Sequence, residues 1–290
     1  MSGINQISPE LAKKLTQAVE KMPAFPKSVQ KILELTKNLD CEPKHLVQVI
    51  EKDPVMTVKI LRVINSAYYS TSSKITSVNH SVVFLGFNTI KNLALSIASI
   101  GILPKRNTAG FDIQHYLLHS LTTAGIAKSL GGRLAGIDPM DCYIAGLLHD
   151  FGKVVFAQFM PGEFNQALQK SRSENISLHT AENQVIGVDH TVVGSMLAEK
   201  WQFPQTLIDC IRNHHSMDIG KGGIWASVYA ANQISKKMSF GDSGNPCIEM
   251  LPPVIRDCFD GDIDAIIASL GDLSKIAEEA SLFSQIGAEA

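Results

Sequence analysis

Apolar residues recur at three- and four-residue spacing from end to end of the chain, and strand-like alternation is nearly absent. That pattern predicts an all-α fold built as a multi-helix bundle. Phe87, Ile90, Leu93, Ala94, Ile97 and Ile100 form one apolar stripe. The segment after Pro54 carries Val55, Val58, Leu61 and Ile64 on one face, with Met56, Ile60 and Val63 beside it. An apolar surface that wide implies burial between other helices. Helix starts are marked by capping chemistry. Ser8-Pro9-Glu10, Asp53-Pro54 and Asp138-Pro139 each place a side-chain acceptor ahead of a proline at the first helical position. Asp141 adds a carboxylate in a first turn, where the helix dipole favours negative charge.

The same periodicity divides the chain. Residues 1–104 predict an amino-terminal lobe of five or six helices, and Lys105 to Gly110 is a polar, glycine-ended link. Residues 111–238 predict a second helical lobe. Residues 239–290 open with the turn-rich stretch Ser239 to Pro246 and continue with helical patterns at Ile263–Leu270 and Leu273–Ile286. The most apolar run, Leu93 to Leu103, is broken by Ser96 and Ser99. It spans about half of the roughly 20 residues a membrane helix needs, so it reads as a core helix.

Composition narrows the functional classes. Of 290 residues, 45% are hydrophobic and 19% charged, and the net charge of −2 comes with no basic block of the kind phosphate backbones require. Lys13-Lys14 and Lys236-Lys237 read as ordinary solvated pairs, and two tryptophans offer no stacking platform for single strands. Neither a nucleic acid nor a membrane is expected as a partner. Cys41, Cys142, Cys210, Cys247 and Cys258 have long, irregular spacings. They read as buried, reduced thiols of a cytoplasmic protein, and Met1 to Glu10 lacks the features of a signal peptide. No G-x-S-x-G elbow occurs, since Gly194-Ser195 sits inside an amphipathic pattern. No phosphate-binding G-x-x-x-x-G-K-[ST] loop occurs either, and Gly131-Gly132-Arg133 reads as an inter-helix turn.

Histidine supplies the candidate chemistry. Seven of the nine histidines fall between positions 115 and 215. His115 and His119 are four residues apart, a spacing that lets two imidazoles converge on one helix face. His149-Asp150 ends a helix, with the small residues Ala145 and Gly146 one turn before it and Gly152 expected to break the helix after it. Imidazole beside carboxylate suits Mn, Fe, Zn or Ni, and the carboxylate could bridge two ions. Lys153 is placed to contact a phosphate, or more simply to pair with Asp150 and satisfy the last carbonyls of the helix. His179 falls in a polar stretch and is expected to be exposed. His190 opens a helix with Gly194 one turn on, and His214-His215 ends another, with His214 toward the core. Singly, each of these histidines has an ordinary structural explanation; the ordered series points to a metal site.

The order His119, His149-Asp150, His190, His214-His215 resembles the HD superfamily of metal-dependent phosphohydrolases. Several segments more closely resemble its HDOD branch of bacterial signalling domains. They are Met22-Pro-Ala-Phe-Pro26 with Val29, Ile32 and Leu33; Ile50 to Leu61 with Ile64 to Tyr68; Ile75 to Asn92 around Leu85-Gly86; Gly146 to Lys153; and Asp189 to Gly194. The resemblance covers roughly three-quarters of the chain, Lys21 to Lys237. It implies an HD-like helical bundle and a site of His119, His149, Asp150, His190, His214, His215 and Asn232 holding a divalent metal (Fe, Mn, Zn, Ni or Mg). It also implies, were the site active, catalytic roles for Lys153 and Asp150. One position departs from the pattern. Asn232 stands where active HD enzymes close the site with an aspartate, and an amide lacks the charge that offsets a divalent cation. Ser216 to Gly220 stands where the cyclic-di-GMP-degrading branch has Gly-Tyr-Pro. The expectation is a regulatory module, non-catalytic or with a residual metal site, meeting signalling proteins through helical surfaces. The competing expectation is a metal-dependent phosphohydrolase acting on phosphomonoesters or phosphodiesters.

Overall fold

The computed structural model describes residues 7–36, 42–69, 74–104, 106–216 and 223–288, and every regular element among them is helical. Cys41, Lys105 and residues 217–220 lie outside the described residues. The chain forms two compact units, residues 24–103 with 277–290, and residues 1–23 with 104–276. The caps read from the sequence are in place. Ser8 Oγ accepts the Leu11 N–H at 3.2 Å to start α1 (Pro9–Lys21).

The unit of residues 24–103 contains α2 (Lys27–Thr36), α3 (Pro43–Glu51), α4 (Pro54–Ile64), α5 (Val78–Leu85) and α6 (Phe87–Ile102). Asp53 Oδ1 accepts the Met56 N–H at 3.1 Å, and its Oδ2 accepts from Ser28 Oγ at 2.9 Å, so one carboxylate both caps α4 and fastens it to α2. Ile32, Leu46, Ile50, Ile60, Ile64 and Leu93 are fully buried, each burial contributing about 1.5–3 kcal/mol. The Asn65 amide spans two segments, donating to Leu61 O and Ile75 O at 2.7 Å and accepting the Ile75 N–H at 2.8 Å. Gly86 joins α5 to α6 at φ +85°, a conformation that side chains rarely adopt. The wide surface of α4 is only half covered, contrary to expectation. Its neighbours α3, α5 and α6 bury Met56, Ile60 and Val63, while Val55 and Val58 stay 64% and 65% exposed.

The other unit carries the histidines. It contains α1, then α7 (Ile113–Gly131), α8 (Pro139–Leu148), α9 (Phe151–Phe159), α10 (Pro161–Glu174), α11 (Leu178–Val185), α12 (His190–Lys200), α13 (Gln205–Asn213), α14 (Ile224–Lys237), α15 (Pro253–Cys258) and α16 (Ile263–Leu270). Helices α7, α8 and α14 pack on one another, and α12 packs on α9 and α13. Gly146 is required by the first of these crossings, where a Cβ would lie 2.9 Å from Ala124 Cα. The last helix is α17 (Ser274–Ala288), whose Glu279 accepts from Tyr69 Oη at 3.0 Å.

These boundaries differ from the three-part reading of 1–104, 111–238 and 239–290. Helix α1 joins the histidine unit because Lys200 Nζ donates to the carbonyls of Val19, Glu20 and Met22 at 2.7–3.0 Å, capping the end of α1. Trp201 Nε1 donates to Pro23 O at 3.0 Å beside it. Residues 239–276 join through Lys236 Nζ to Cys247 O at 2.7 Å and the Arg133 guanidinium to Ser269 Oγ and O at 2.8 and 2.9 Å. Lys236 is therefore turned inward rather than solvated, while Lys237 pairs with Asp264 at 2.5 Å. The six-residue α15 was too short to stand out as periodicity.

Cys142, Cys210, Cys247 and Cys258 are free thiols, but only the first two are buried. Burial pushes the Cys142 thiol up to about 11. Among the described residues, no helix is long and apolar enough to cross a membrane.

Candidate metal centre

His119 lies midway along α7, His149 and Asp150 link α8 to α9, His190 opens α12 behind its Asp189 cap, and His214 and His215 follow α13. His119, His149, Asp150, Lys153, His190 and His214 are at most 1% exposed. His115 does not join them. Asp112 caps the first turn of α7 and holds His115 Nδ1 at 2.8 Å, in solvent. Gly152 does not break a helix; it lies in the first turn of α9, where the backbone of α12 presses against it.

Two donor groups share Asp150. Donor atoms of His119, His149 and Asp150 lie within 4.8 Å of one another, as do those of Asp150, His190, His214 and His215. On one side, Asp150 Oδ2 is 3.3 Å from His149 Nε2 and 3.9 Å from His119 Nε2. On the other, Asp150 Oδ1 is 3.1 Å from His190 Nε2 and 3.4 Å from His214 Nε2. His190 Nε2 is in turn 3.3 Å from His214 Nε2 and 3.1 Å from His215 Nε2. Ligands held about 2.1 Å from one ion stand about 3.0–3.4 Å apart along the edges of its coordination polyhedron. The second group has that spacing.

The outer nitrogens fix which atoms face inward. His149 Nδ1 donates to Gly146 O and His214 Nδ1 to Ile211 O, both at 2.8 Å. Each ring therefore turns an Nε2 lone pair toward the Asp150 carboxylate. Acceptor meets acceptor, and His119 Nε2, His149 Nε2 and Asp150 Oδ1 have no hydrogen-bond partner although fully buried. A cation satisfies such a ring of orphaned lone pairs, so the residues fit a divalent metal. When bound, it would supply concentrated positive charge to any oxygen ligand.

The electrostatics agree with neutral ligands on the His214 side. Burial drives the His214 imidazole down to about 3 and holds those of His119 and His215 well below the ordinary histidine value. Burial opposes ionisation of Asp150, but His149 and Lys153 beside it keep the carboxyl well below its usual range. His190 differs. Burial would lower it, yet the Glu182 carboxylate, 2.5 Å from Nδ1, pushes it up to about 9.

Lys153 reaches back to Asp150 and across to another segment. Its Nζ donates to Asp150 Oδ2 at 2.6 Å and to Ser243 O at 3.0 Å, a carbonyl of the 239–246 segment rather than of its own helix. Asn232 is buried on α14, which packs on α7, and its Oδ1 has no hydrogen-bond partner. Sequence reasoning missed Glu182, Ser235 (whose Oγ is 3.2 Å from His119 Nδ1), Ser243 and Glu249. Only Glu182 left a signal, lying eight residues before His190 on the adjoining helix. His179, expected in solvent, is half-buried against His215.

Comparison with known proteins identifies the family. An uncharacterized protein of Treponema pallidum (strain Nichols) is 25% identical over 209 residues, 72% of this chain but 40% of that protein's length. This chain thus spans well under half of the curated relative. An HDOD domain protein of unknown function from Geobacter sulfurreducens has a crystal structure that matches at TM-score 0.79 and 26% identity, over 96% of this chain and 97% of that one. A candidate signal transduction protein from Marinobacter aquaeolei VT8 shares the fold at TM-score 0.78 and 21% identity, over 96% of this chain and 65% of the other. The HDOD domain family model matches residues 22–217, from the end of α1 past the His214-His215 pair. With the histidine order, the helical fold and that match in agreement, the chain belongs to the HDOD domain family.

Proposed function

We propose that this chain is a regulatory module of bacterial signalling that keeps its His–Asp pocket as a buried, cation-holding structural element. The observation that carries this reading is the engagement of Lys153. In a phosphohydrolase its ammonium would be free to hold a phosphate, but here it is 1% exposed and donates to Asp150 and Ser243 O. A phosphate would have to compete with that buried carboxylate and with the Ser243 carbonyl for the ammonium. The reading extends to a protein partner on the unit of residues 24–103. Val55 and Val58 on α4, with Val83 and Phe84 on α5, leave apolar side chains in solvent.

One observation favours the alternative, a metal-dependent phosphohydrolase with Asp150 and Lys153 as its catalytic residues. The histidine donors around Asp150 are complete. The purified chain, loaded in turn with Fe²⁺, Mn²⁺, Zn²⁺, Ni²⁺ or Mg²⁺, separates the two in assays on nitrophenyl phosphomonoesters and phosphodiesters. Turnover no greater than that of His149→Ala is expected. Turnover that vanishes in His149→Ala would overturn the regulatory reading.

A further inference from the structure

A second donor set lies at the edge of the deep pocket. His179 is the second residue of α11, His215 follows α13, and Glu249 lies between α14 and α15. Their donor atoms lie within 4.8 Å of one another. His179 Nδ1 stands 3.8 Å from Glu249 Oε1, too far for a hydrogen bond, and the two imidazoles stack with centroids 4.2 Å apart. Nδ1 of His179 and Nδ1 of His215 are both shielded from solvent, and neither has a hydrogen-bond partner. Two orphaned imidazole nitrogens beside one carboxylate oxygen form an unsatisfied N,N,O set.

The remaining atoms of all three residues are held in place. His179 Nε2 is 3.2 Å from Ser177 Oγ, and His215 Nε2 faces His190. Glu249 Oε2 accepts from Tyr229 Oη at 3.3 Å, and the Glu249 N–H donates to Gln233 Oε1 at 2.8 Å. Such outer partners fix the tautomer and orientation of metal ligands. The set is also more open than the deep pocket, with the His179 and Glu249 side chains 22% and 16% exposed.

We propose that His179, His215 and Glu249 bind a divalent transition metal of the zinc or cobalt class, at the edge of the deep pocket and sharing His215 with its donor group. Three protein ligands of this kind leave a fourth position for solvent, so the ion exchanges with its surroundings. His215 Nε2 faces His190, its Nδ1 has no hydrogen-bond partner, and the residue belongs to both donor groups, so one ring lies between the two sites. The proposal does not rest on the deep pocket being filled.

The test titrates the chelator-treated full chain with Co²⁺ alone, followed by visible absorption and calorimetry. The expected result is one readily exchanging equivalent that is lost in both Glu249→Gln and His179→Ala, with metal-free thermal midpoints close to that of the unaltered chain. Retention of the full Co²⁺ complement by both variants would overturn the site. A Glu249-dependent equivalent without a deep one counts against the structural cation and upholds this site. A deep equivalent without Glu249 dependence does the reverse.

Discussion

Gly152 and Gly194 meet backbone to backbone where α9 crosses α12. A Cβ on Gly152 would fall 2.0 Å from His190 O and 2.9 Å from Gly194 N. The contact fixes the distance between the helix that follows Asp150 and the helix that begins with His190. Gly152→Ala must separate the two backbones, which costs about 3 kcal/mol or more. Urea unfolding of the metal-free variant checks this; a loss under about 1 kcal/mol would show that the crossing yields easily.

Lys153 places a buried ammonium 2.6 Å from Asp150 Oδ2. Lys153→Met is expected to destabilise the metal-free protein by about 3–5 kcal/mol, by leaving a buried carboxylate without its ammonium. Added Zn²⁺ or Mn²⁺ should then raise the thermal midpoint of the variant more than that of the unaltered chain. Equal shifts in the two proteins would sink the idea that metal and ammonium serve the same carboxylate.

Asn232→Asp supplies the carboxylate that the resemblance to HD enzymes leads one to expect at this position. Mn²⁺ binding is expected to tighten by about tenfold or more, since ligand charge tunes affinity for hard divalent ions. The metal-free variant should be less stable, because a buried carboxylate would replace a neutral amide. Calorimetric titration with Mn²⁺ reads the first effect and urea unfolding the second.

Lys236 gives a pH signature. Burial pushes its amine down from 10.5 to about 8. Between those values the unfolded chain holds a proton that the folded chain has released, so this residue's contribution to stability rises with pH across that window. Below it both states are charged, and the cost of burying the ammonium is felt in full. Urea unfolding of the unaltered chain and Lys236→Met at about pH 7 and about pH 10 should show the gap between them narrowing at the higher pH. A constant gap contradicts the inward placement.

Much of this was legible in the sequence because local rules decided it. Ser8, Asp53 and Asp138 cap helices because a short acceptor before proline has few other uses, and each does so. The order of His119, His149-Asp150, His190 and His214-His215 placed the deep pocket because each lies at a point the helices bring inward. What failed depended on distant packing. Val55 and Val58 repeat as a core stripe does, yet among the described residues they stay exposed. His115 shares a helix face with His119 but is captured by its own cap. Glu249 and Ser243 reach the pocket from an irregular segment with no period to read.

That segment has a consequence for chain length. Surface loops ordinarily absorb insertions at little cost. Residues 239–246 leave no such room. A Cβ at Gly241 would lie 2.3 Å from His115 O, the Asp242 N–H donates to that same oxygen at 3.0 Å, and the Ser243 carbonyl holds Lys153. One added residue would shift the carbonyl away from the Lys153 ammonium, 90 residues distant in sequence, and through it disturb Asp150. The turn at Gly271, where a Cβ would meet nothing within 4 Å, is the place to splice in a tag or reporter; the stretch at Gly241 acts as a fixed-length spacer.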